Sequence, residues 1–430
     1  MLKTVTEHYN KREYSAKIDF EGHIPFDEDF SRQFTKRGKK VDCFRVYSDN
    51  VNKVHKLSNS YFVGVDWVVE SKCAIYVEPK LNNTSNQTDY LTMLFEALRF
   101  PESLEHAEDL FQIDWESQPI EIPKQTDFLT PLIVAQYLMI IQRIVRKGLK
   151  KSYYRVEKNI FSKTKGKILV ASTIKQNHVK NKVLNTVCVY DEFGLNSFEN
   201  RLLKKALSYS NKCLMSYPSL KNNNSLNQVF AYASSAFQNV SEDVEGSEVK
   251  NFKSNIFYKE YNEATVLAKI ILKKNSYNIS NTSGSETVKT QPFWIDMSKL
   301  FELYVYSQLK QKYKEKVKFQ FKGQGTFLDY LINTETEKII VDAKYRTLYK
   351  DTYDIKDIRQ ISAYARERKV YEELEIPIED RSQKIIKCLI IYPDQNKELD
   401  LWQNEEEAIE KYIEFYKRPV ALPVLSKASN

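Results

Sequence analysis

The sequence predicts a multidomain α+β protein in three parts. These are a β-rich N-terminal domain over 1–115, a basic middle domain of mixed helices and strands over 116–274, and a C-terminal α/β domain over 290–430. Three observations carry this. Short apolar runs rich in β-branched and aromatic residues fill the first hundred positions. Between Arg143 and Lys182 stand thirteen Lys and Arg against one acid, Glu157, so this segment holds more than the whole net charge of +8. A polar, small-residue run from Asn275 to Thr287 reads as a linker. It separates that region from a stretch patterned helix, three strands, helix, strand.

Within the first part, Cys43–Tyr47, Tyr61–Val69 and Ala74–Val77 read as strands and Asp89–Leu98 as a short helix. Pro101–Asp127 is acidic and proline-bearing, which marks a boundary or an exposed connection. Thr130 suits an N-cap and Pro131 a first helical position, so a helix is expected from there to Leu149, apolar over most of its circumference and buried in the middle domain. Further helices are expected over Ser197–Met215, Ser225–Val240 and Tyr261–Lys273.

Composition excludes several classes. The most apolar window, Pro131–Ile141, is too short to span a bilayer, so no membrane is expected. Five cysteines are scattered without a Cys-x-x-Cys pair, which argues against structural zinc and for a reducing compartment. The start, Met1–Glu7, lacks the apolar core of a signal peptide, and a cytoplasmic protein is expected. No phosphate-binding Gly-x-x-x-x-Gly-Lys-Ser/Thr loop occurs, so the chain is not expected to hydrolyse a nucleotide itself. Lys150–Tyr190 interleaves basic and aromatic residues, a pattern that suits a nucleic-acid backbone, with Lys147, Lys150, Lys151 and Arg155 as the candidate contacts. The alternative is a solvated, lysine-rich surface.

The C-terminal part carries the chemistry. Gly325–Ile332 and Ile339–Lys344 flank a polar turn and read as a β-hairpin. Side chains alternate along strands, so Asp329 on the first and Asp342 and Lys344 on the second could converge on one sheet face. Two neighbouring carboxylates repel unless a positive charge lies between them. Hard oxygen donors of this kind suit Mg²⁺, which takes one or two carboxylates and keeps several waters. Glu302 lies on an apolar helix, Met297–Tyr306, where a carboxylate is costly unless paired or near a metal. In the run 354–366, Asp357, Gln360 and Tyr364 share one helix face, and Ile355, Ile358, Ile361 and Ala365 are expected to face the core. A rival Glu-x-Lys pattern, Glu78-Pro79-Lys80 with Asp66 upstream, lacks both the acid-bearing helix before it and the Gln-x-x-x-Tyr helix after it.

The order of elements and the set Asp329, Asp342-Ala343-Lys344 resemble the PD-(D/E)xK nuclease superfamily, with Leu328 where a proline is usual. Gln360-x-x-x-Tyr364 resembles the accessory motif of nucleases related to the RecB nuclease domain. Several stretches together resemble the McrC family, the nuclease subunits of McrBC-type modification-dependent restriction systems. They are Phe62-Val63-Gly64-Val65, Ile75–Lys80, Arg146-Lys147-Gly148-Leu149 with Tyr153-Tyr154, Gly166-Lys167-Ile168, Asp191-Glu192-Phe193, Asn200-Arg201-Leu202-Leu203, and Asp296-Met297 with Leu300-Phe301-Glu302. The resemblance covers most of 60–395. It implies an endonuclease subunit that cuts both strands of foreign or modified double-stranded DNA. Asp329, Asp342, the Ala343 carbonyl and Glu302 would hold Mg²⁺, Lys344 would orient the attacking water, and Gln360 and Tyr364 would position the DNA strand or Lys344. It also implies a partner, an McrB-like GTP-hydrolysing AAA+ ring that the N-terminal part docks into and stimulates. A non-catalytic activator of such a ring and a stand-alone repair nuclease are the alternatives.

Overall fold

The computed structural model describes the chain except residues 8–15, 19, 21–28, 37, 50–53, 84–85, 101, 104–105, 108, 124–128, 218–219, 222, 245–257, 281–286 and 426–430. It is a mixed α/β protein with several sheets. The chain divides into two compact units. One comprises Met1–Pro131, Pro218–Leu226 and Gly284–Asn430, and the other Leu132–Tyr217 and Asn227–Ser283. The segments 1–115 and 290–430, separate in the sequence reading, thus belong to one unit.

In that first unit the N-terminal strands are β1 (Leu2–Thr6), β2 (Ala16–Ile18), β3 (Phe30–Lys36), β4 (Lys39–Asp49), β5 (Val54–Asn59), β6 (Phe62–Val69) and β7 (Cys73–Glu78), followed by helix α1 (Tyr90–Ala97). The Asp89 side chain caps α1 by accepting from the Thr92 amide. The stretch read as a boundary or an exposed connection holds β8 (Phe111–Ile113) and β9 (Ile120–Pro123). Strands β2, β5, β4 and β3 form one sheet. A second sheet runs β1-β7-β6-β14-β8, where β14 is Phe293–Asp296, and β9 pairs with β13 (Thr287–Thr290). Gly64 faces Trp294 across β6 and β14, and a Cβ at 64 would lie 2.0 Å from the Phe293 carbonyl oxygen. Only glycine allows the strands to approach this closely.

The second unit contains all but the first residues of helix α2 (Leu129–Lys147) and of helix α5 (Asn224–Ser235), a three-stranded sheet of β10 (Ser152–Phe161), β12 (Asn185–Gly194) and β11 (Lys167–Ile168), and helices α3 (Val170–Gln176), α4 (Phe198–Leu214) and α6 (Lys259–Ser280). At 19 residues α2 outruns the apolar window read from sequence, and by length and composition it could cross a membrane. Its apolar residues, among them Leu132, Tyr137, Leu138 and Ile141, are buried within the protein, as in a core helix. The expected linker begins as helix, because α6 continues to Ser280, and its residues 281–286 lie outside the described residues.

The C-terminal sheet lies in the first unit. Helix α7 (Met297–Tyr313) precedes strands β15 (Val317–Lys322), β16 (Phe327–Asn333) and β17 (Lys338–Ala343). Helices α8 (Ile355–Tyr364) and α9 (Arg368–Glu373) then lead to β18 (Lys387–Pro393), β19 (Glu407–Ala408) and β20 (Phe415–Val420). The sheet order is β15-β16-β17-β18-β20-β19, and β17, β18 and β20 run parallel. The last two strands arise from residues after 395, where the sequence shows no motif. On one face Leu331, Ile340, Cys388 and Ile390 pack with Ile358, Ile361 and Tyr364 of α8. Each fully buried aliphatic side chain contributes about 2 kcal/mol. On the other face the Tyr330 hydroxyl donates to the Glu302 carbonyl of α7 at 2.5 Å. Ile355, expected in the core, is 51% exposed because it opens the helix, whereas Asp357 is buried.

Candidate functional site

Asp329 and Asp342 come together as neighbouring-strand partners. The register Tyr330↔Val341 sets the two aspartates opposite each other one position further along, on a common face. The Asp329 Oδ2 accepts from the Ala343 amide at 2.9 Å, so the carboxylate is tied to the strand that carries its partner. Asp342 is buried, and Lys344 Nζ lies 2.8 Å from its Oδ2. This is an ion pair without hydrogen-bond alignment, since the same oxygen is buried with no hydrogen-bond partner. Lys344 Nζ also lies 3.9 Å from Asp357 Oδ1.

Asp357 is a site residue whose role sequence reading missed. Its Oδ2 accepts from the Tyr349 hydroxyl at 2.6 Å and from Arg346 Nη1 at 2.9 Å. Arg346 also bridges to Asp354, the cap of α8. A doubly hydrogen-bonded carboxylate is thereby fixed near the Lys344 ammonium.

Glu302 joins the cluster from α7. Its Oε2 accepts from Gln320 Nε2 at 3.4 Å. Gln320 has a left-handed φ of 51°, while the β15–β16 register is the same on either side of it. Two further groups were not foreseen here. Asp296 caps α7 through the Lys299 amide, and its fully buried carboxylate pairs with Lys36 of β3 at 2.5 Å. No local signal could have linked Lys36 to a residue 260 positions away.

Electrostatics follow from this crowding. Burial, then the charges of Asp342 and Glu302, push the Asp329 carboxyl well above its usual range. Burial raises Asp342 too, outweighing the opposing pull of Lys344. Glu302 is pushed up to about 7 by burial and by the Asp296 charge. Burial alone would lower Lys344, but Asp342, Asp329 and Asp357 outweigh it and hold the ammonium charged. Protons thus stand in for positive charge among the acids.

The donor set fits a hard divalent cation. Asp342 offers a buried oxygen lacking a hydrogen bond, Asp329 lies opposite, and the Ala343 carbonyl belongs to the same turn of chain. Among the described residues no three Asp, Glu, His or Cys side chains are arranged to hold an ion by themselves. Two carboxylates supplemented by carbonyl, water and substrate oxygens match Mg²⁺.

The other candidates divide. Gln360 is exposed and donates to the Tyr364 hydroxyl at 2.6 Å, and among the described residues neither bonds to Lys344. Lys147 pairs with Glu260 at 2.6 Å. Lys150 pairs with Glu199 at 2.8 Å and lies over the Tyr258 ring, so it is a packed lysine rather than a free phosphate contact. Lys151 and Arg155 are exposed. The rival acids do not converge: Asp66 faces Ile75 and accepts from the Trp294 indole at 2.9 Å, while Glu78 lies three residues further along β7 and accepts from Asn82.

Fold and site together define a multi-sheet α/β protein with a buried acid-and-lysine centre at the end of a mixed sheet. Residues 61–374 match the model of a family described as the McrBC 5-methylcytosine restriction system component. The chain belongs to that family. No curated protein sequence matches it. Among solved structures it is similar to a refined half-complex from the tetradecameric assembly of Thermococcus gammatolerans McrB AAA+ hexamers with bound McrC. The identity is 13% and the TM-score 0.38, covering 98% of this chain and 94% of that one. It is also similar to a chain of the Thermococcus gammatolerans McrBC complex, at 13% identity and a TM-score of 0.27, covering 75% of this chain and 90% of that one.

Proposed function

We propose that the protein is the DNA-cutting subunit of an McrBC-type restriction system, with a PD-(D/E)xK nuclease centre in its C-terminal sheet. The observation that carries this is the pairing of Asp329 with Asp342 on adjoining strands, one residue from the Lys344 side of the site. Family membership supports the setting. The substrate is double-stranded DNA, foreign or modified, cut while the subunit works with a GTP-hydrolysing AAA+ partner whose GTPase it stimulates. A cytoplasmic location accords with five free cysteines.

Asp329, Asp342 and the Ala343 carbonyl would hold Mg²⁺, with Glu302 reaching it directly or through water. The ion would supply positive charge at the phosphate and lower the pKa of water. Lys344, held charged between Asp342 and Asp357, offsets charge developing on the phosphate oxygens. Gln360, exposed on α8 and bonded to the Tyr364 hydroxyl, would help position a DNA strand. Lys151 and Arg155 would add contacts to a nucleic-acid backbone.

The test is Asp342→Ala, assayed for plasmid cleavage with the AAA+ partner, GTP and Mg²⁺, and in parallel for stimulated GTP hydrolysis. The expected result is loss of cleavage with GTPase stimulation retained. Undiminished cleavage would remove the nuclease reading and leave an activator of the ring. Cleavage by the wild type without a partner would favour a stand-alone nuclease.

A further inference from the structure

Tyr345 follows Lys344 directly, and its surroundings come from distant parts of the chain. The Lys344 amide donates to the Ile391 carbonyl of β18 at 2.9 Å, and the Arg346 amide donates back to the Lys344 carbonyl at 2.7 Å. The chain therefore leaves β17 through a three-residue turn centred on Tyr345. Its buried ring packs against Phe301, the neighbour of Glu302. Its hydroxyl donates to Glu7 Oε1 at 2.5 Å. Its carbonyl accepts from Lys80 Nζ at 2.7 Å, and the same ammonium lies 3.5 Å from the centre of its ring. The Lys80 amide closes the arrangement by donating to Glu7 Oε1 at 3.1 Å.

Glu7 follows β1, and Lys80 follows β7, the parallel neighbour of β1. Two N-terminal elements thus grip one residue at hydroxyl, ring and carbonyl. The grip is costly. Glu7 is 2% exposed, and its second oxygen is buried without a hydrogen-bond partner. A buried polar atom left without a partner is destabilising. Packing alone would be met by a phenylalanine at 345 and an apolar residue at 7. What the polar set adds is a fixed position for the Tyr345 carbonyl and ring, and with them for the main chain of Lys344.

We infer that Glu7 and Lys80 are positioning residues of the nuclease centre, acting through Tyr345 to set where Lys344 stands relative to Asp342. This rests on the nuclease reading proposed above. It gives the Glu78-Pro79-Lys80 pattern a role at the Asp342 centre instead of at a second metal site. Displacement of a reacting group by about 1 Å lowers rates on the order of a hundred-fold.

The experiment uses the full chain with its AAA+ partner, GTP, Mg²⁺ and plasmid DNA. Lys80→Met and Tyr345→Phe are compared with Lys80→Arg, Asp342→Ala and the wild type. Cleavage is measured as kcat and as KM for DNA, and stimulated GTP hydrolysis reports assembly. Lys80→Met and Tyr345→Phe are expected to lower kcat on the order of ten- to a hundred-fold, with KM and GTPase stimulation unchanged. Lys80→Arg, which keeps a cationic donor, is expected to recover most of the rate. Wild-type kcat in both clamp variants, with Asp342→Ala inactive, overturns this inference alone. Parallel loss of cleavage and GTPase stimulation also overturns it, because the clamp would then serve only the fold. Wild-type cutting by Asp342→Ala removes the nuclease reading and this role with it.

Discussion

Replacing Glu302 with glutamine tests the electrostatics of the acid cluster directly. Burial and Asp296 hold the Glu302 carboxyl at about 7, against an ordinary 4.5. The folded protein therefore keeps a proton that the unfolded chain has released. Below pH 4.5 both states are protonated and the group contributes nothing. Between 4.5 and 7 stability falls as pH rises, and above 7 the full penalty, about 3 kcal/mol, is present. Glu302→Gln keeps shape and hydrogen bonding to Gln320 but carries no charge, so it removes this penalty. In metal-free protein at pH 8 the variant is expected to melt roughly 5 °C above the wild type, with the gain fading to nothing near pH 4.5. Calorimetry from pH 4.5 to 8.5 with a chelator present is the assay. A gain that is the same at both ends of the range, or a loss at pH 8, would show that the carboxylate is held by favourable pairing and refute the reasoning.

Three further outcomes follow from the geometry. Adding Mg²⁺ at pH 8 is expected to raise the melting temperature of the wild type but not of Asp329→Asn/Asp342→Asn, because the ion replaces protons among the same acids. A titration by calorimetry checks it, and equal stabilisation of both proteins counts against the site. Lys36→Met strands the buried Asp296 charge and should destabilise by about 3 kcal/mol in denaturant melts, most of it recovered in the double variant with Asp296→Asn. Lys151→Ala/Arg155→Ala is expected to flatten the salt dependence of DNA binding by about two in log–log slope, while Lys150→Ala lowers stability instead. An unchanged slope would take this segment out of the DNA surface.

Sequence carried the site further than it carried the fold. The hairpin was legible because its period-two pattern and polar turn are local, and alternation alone sets Asp329 and Asp342 on one face. Glu302 was legible as an acid in an otherwise apolar helix. The groups that complete the electrostatics were not legible. Lys36 and Asp296 meet through sheet packing, and nothing in either neighbourhood announces the other. Asp357 was placed on the polar face of α8, yet it is buried because Tyr349 and Arg346 satisfy it. Lys150 looked like part of a free charge run, but its partner Glu199 lies 49 residues on. Gly64 stood out as part of a family-like stretch, and its reason is visible only beside Phe293. The expectation for Ile355 failed on helix phasing at a terminus, where the first turn still faces water.

Strand β14 has a consequence for how the protein is made. It lies inside a sheet whose other members are finished by residue 113, with β6 on one side and β8 on the other. During synthesis that sheet must wait, with a gap between β6 and β8, until about three hundred residues have left the ribosome. Such delayed long-range closure slows folding and leaves open strand edges exposed to aggregation. An N-terminal fragment ending near residue 130 should therefore be poorly soluble on its own, and supplying 284–430 as a separate polypeptide should rescue it by restoring the missing strand.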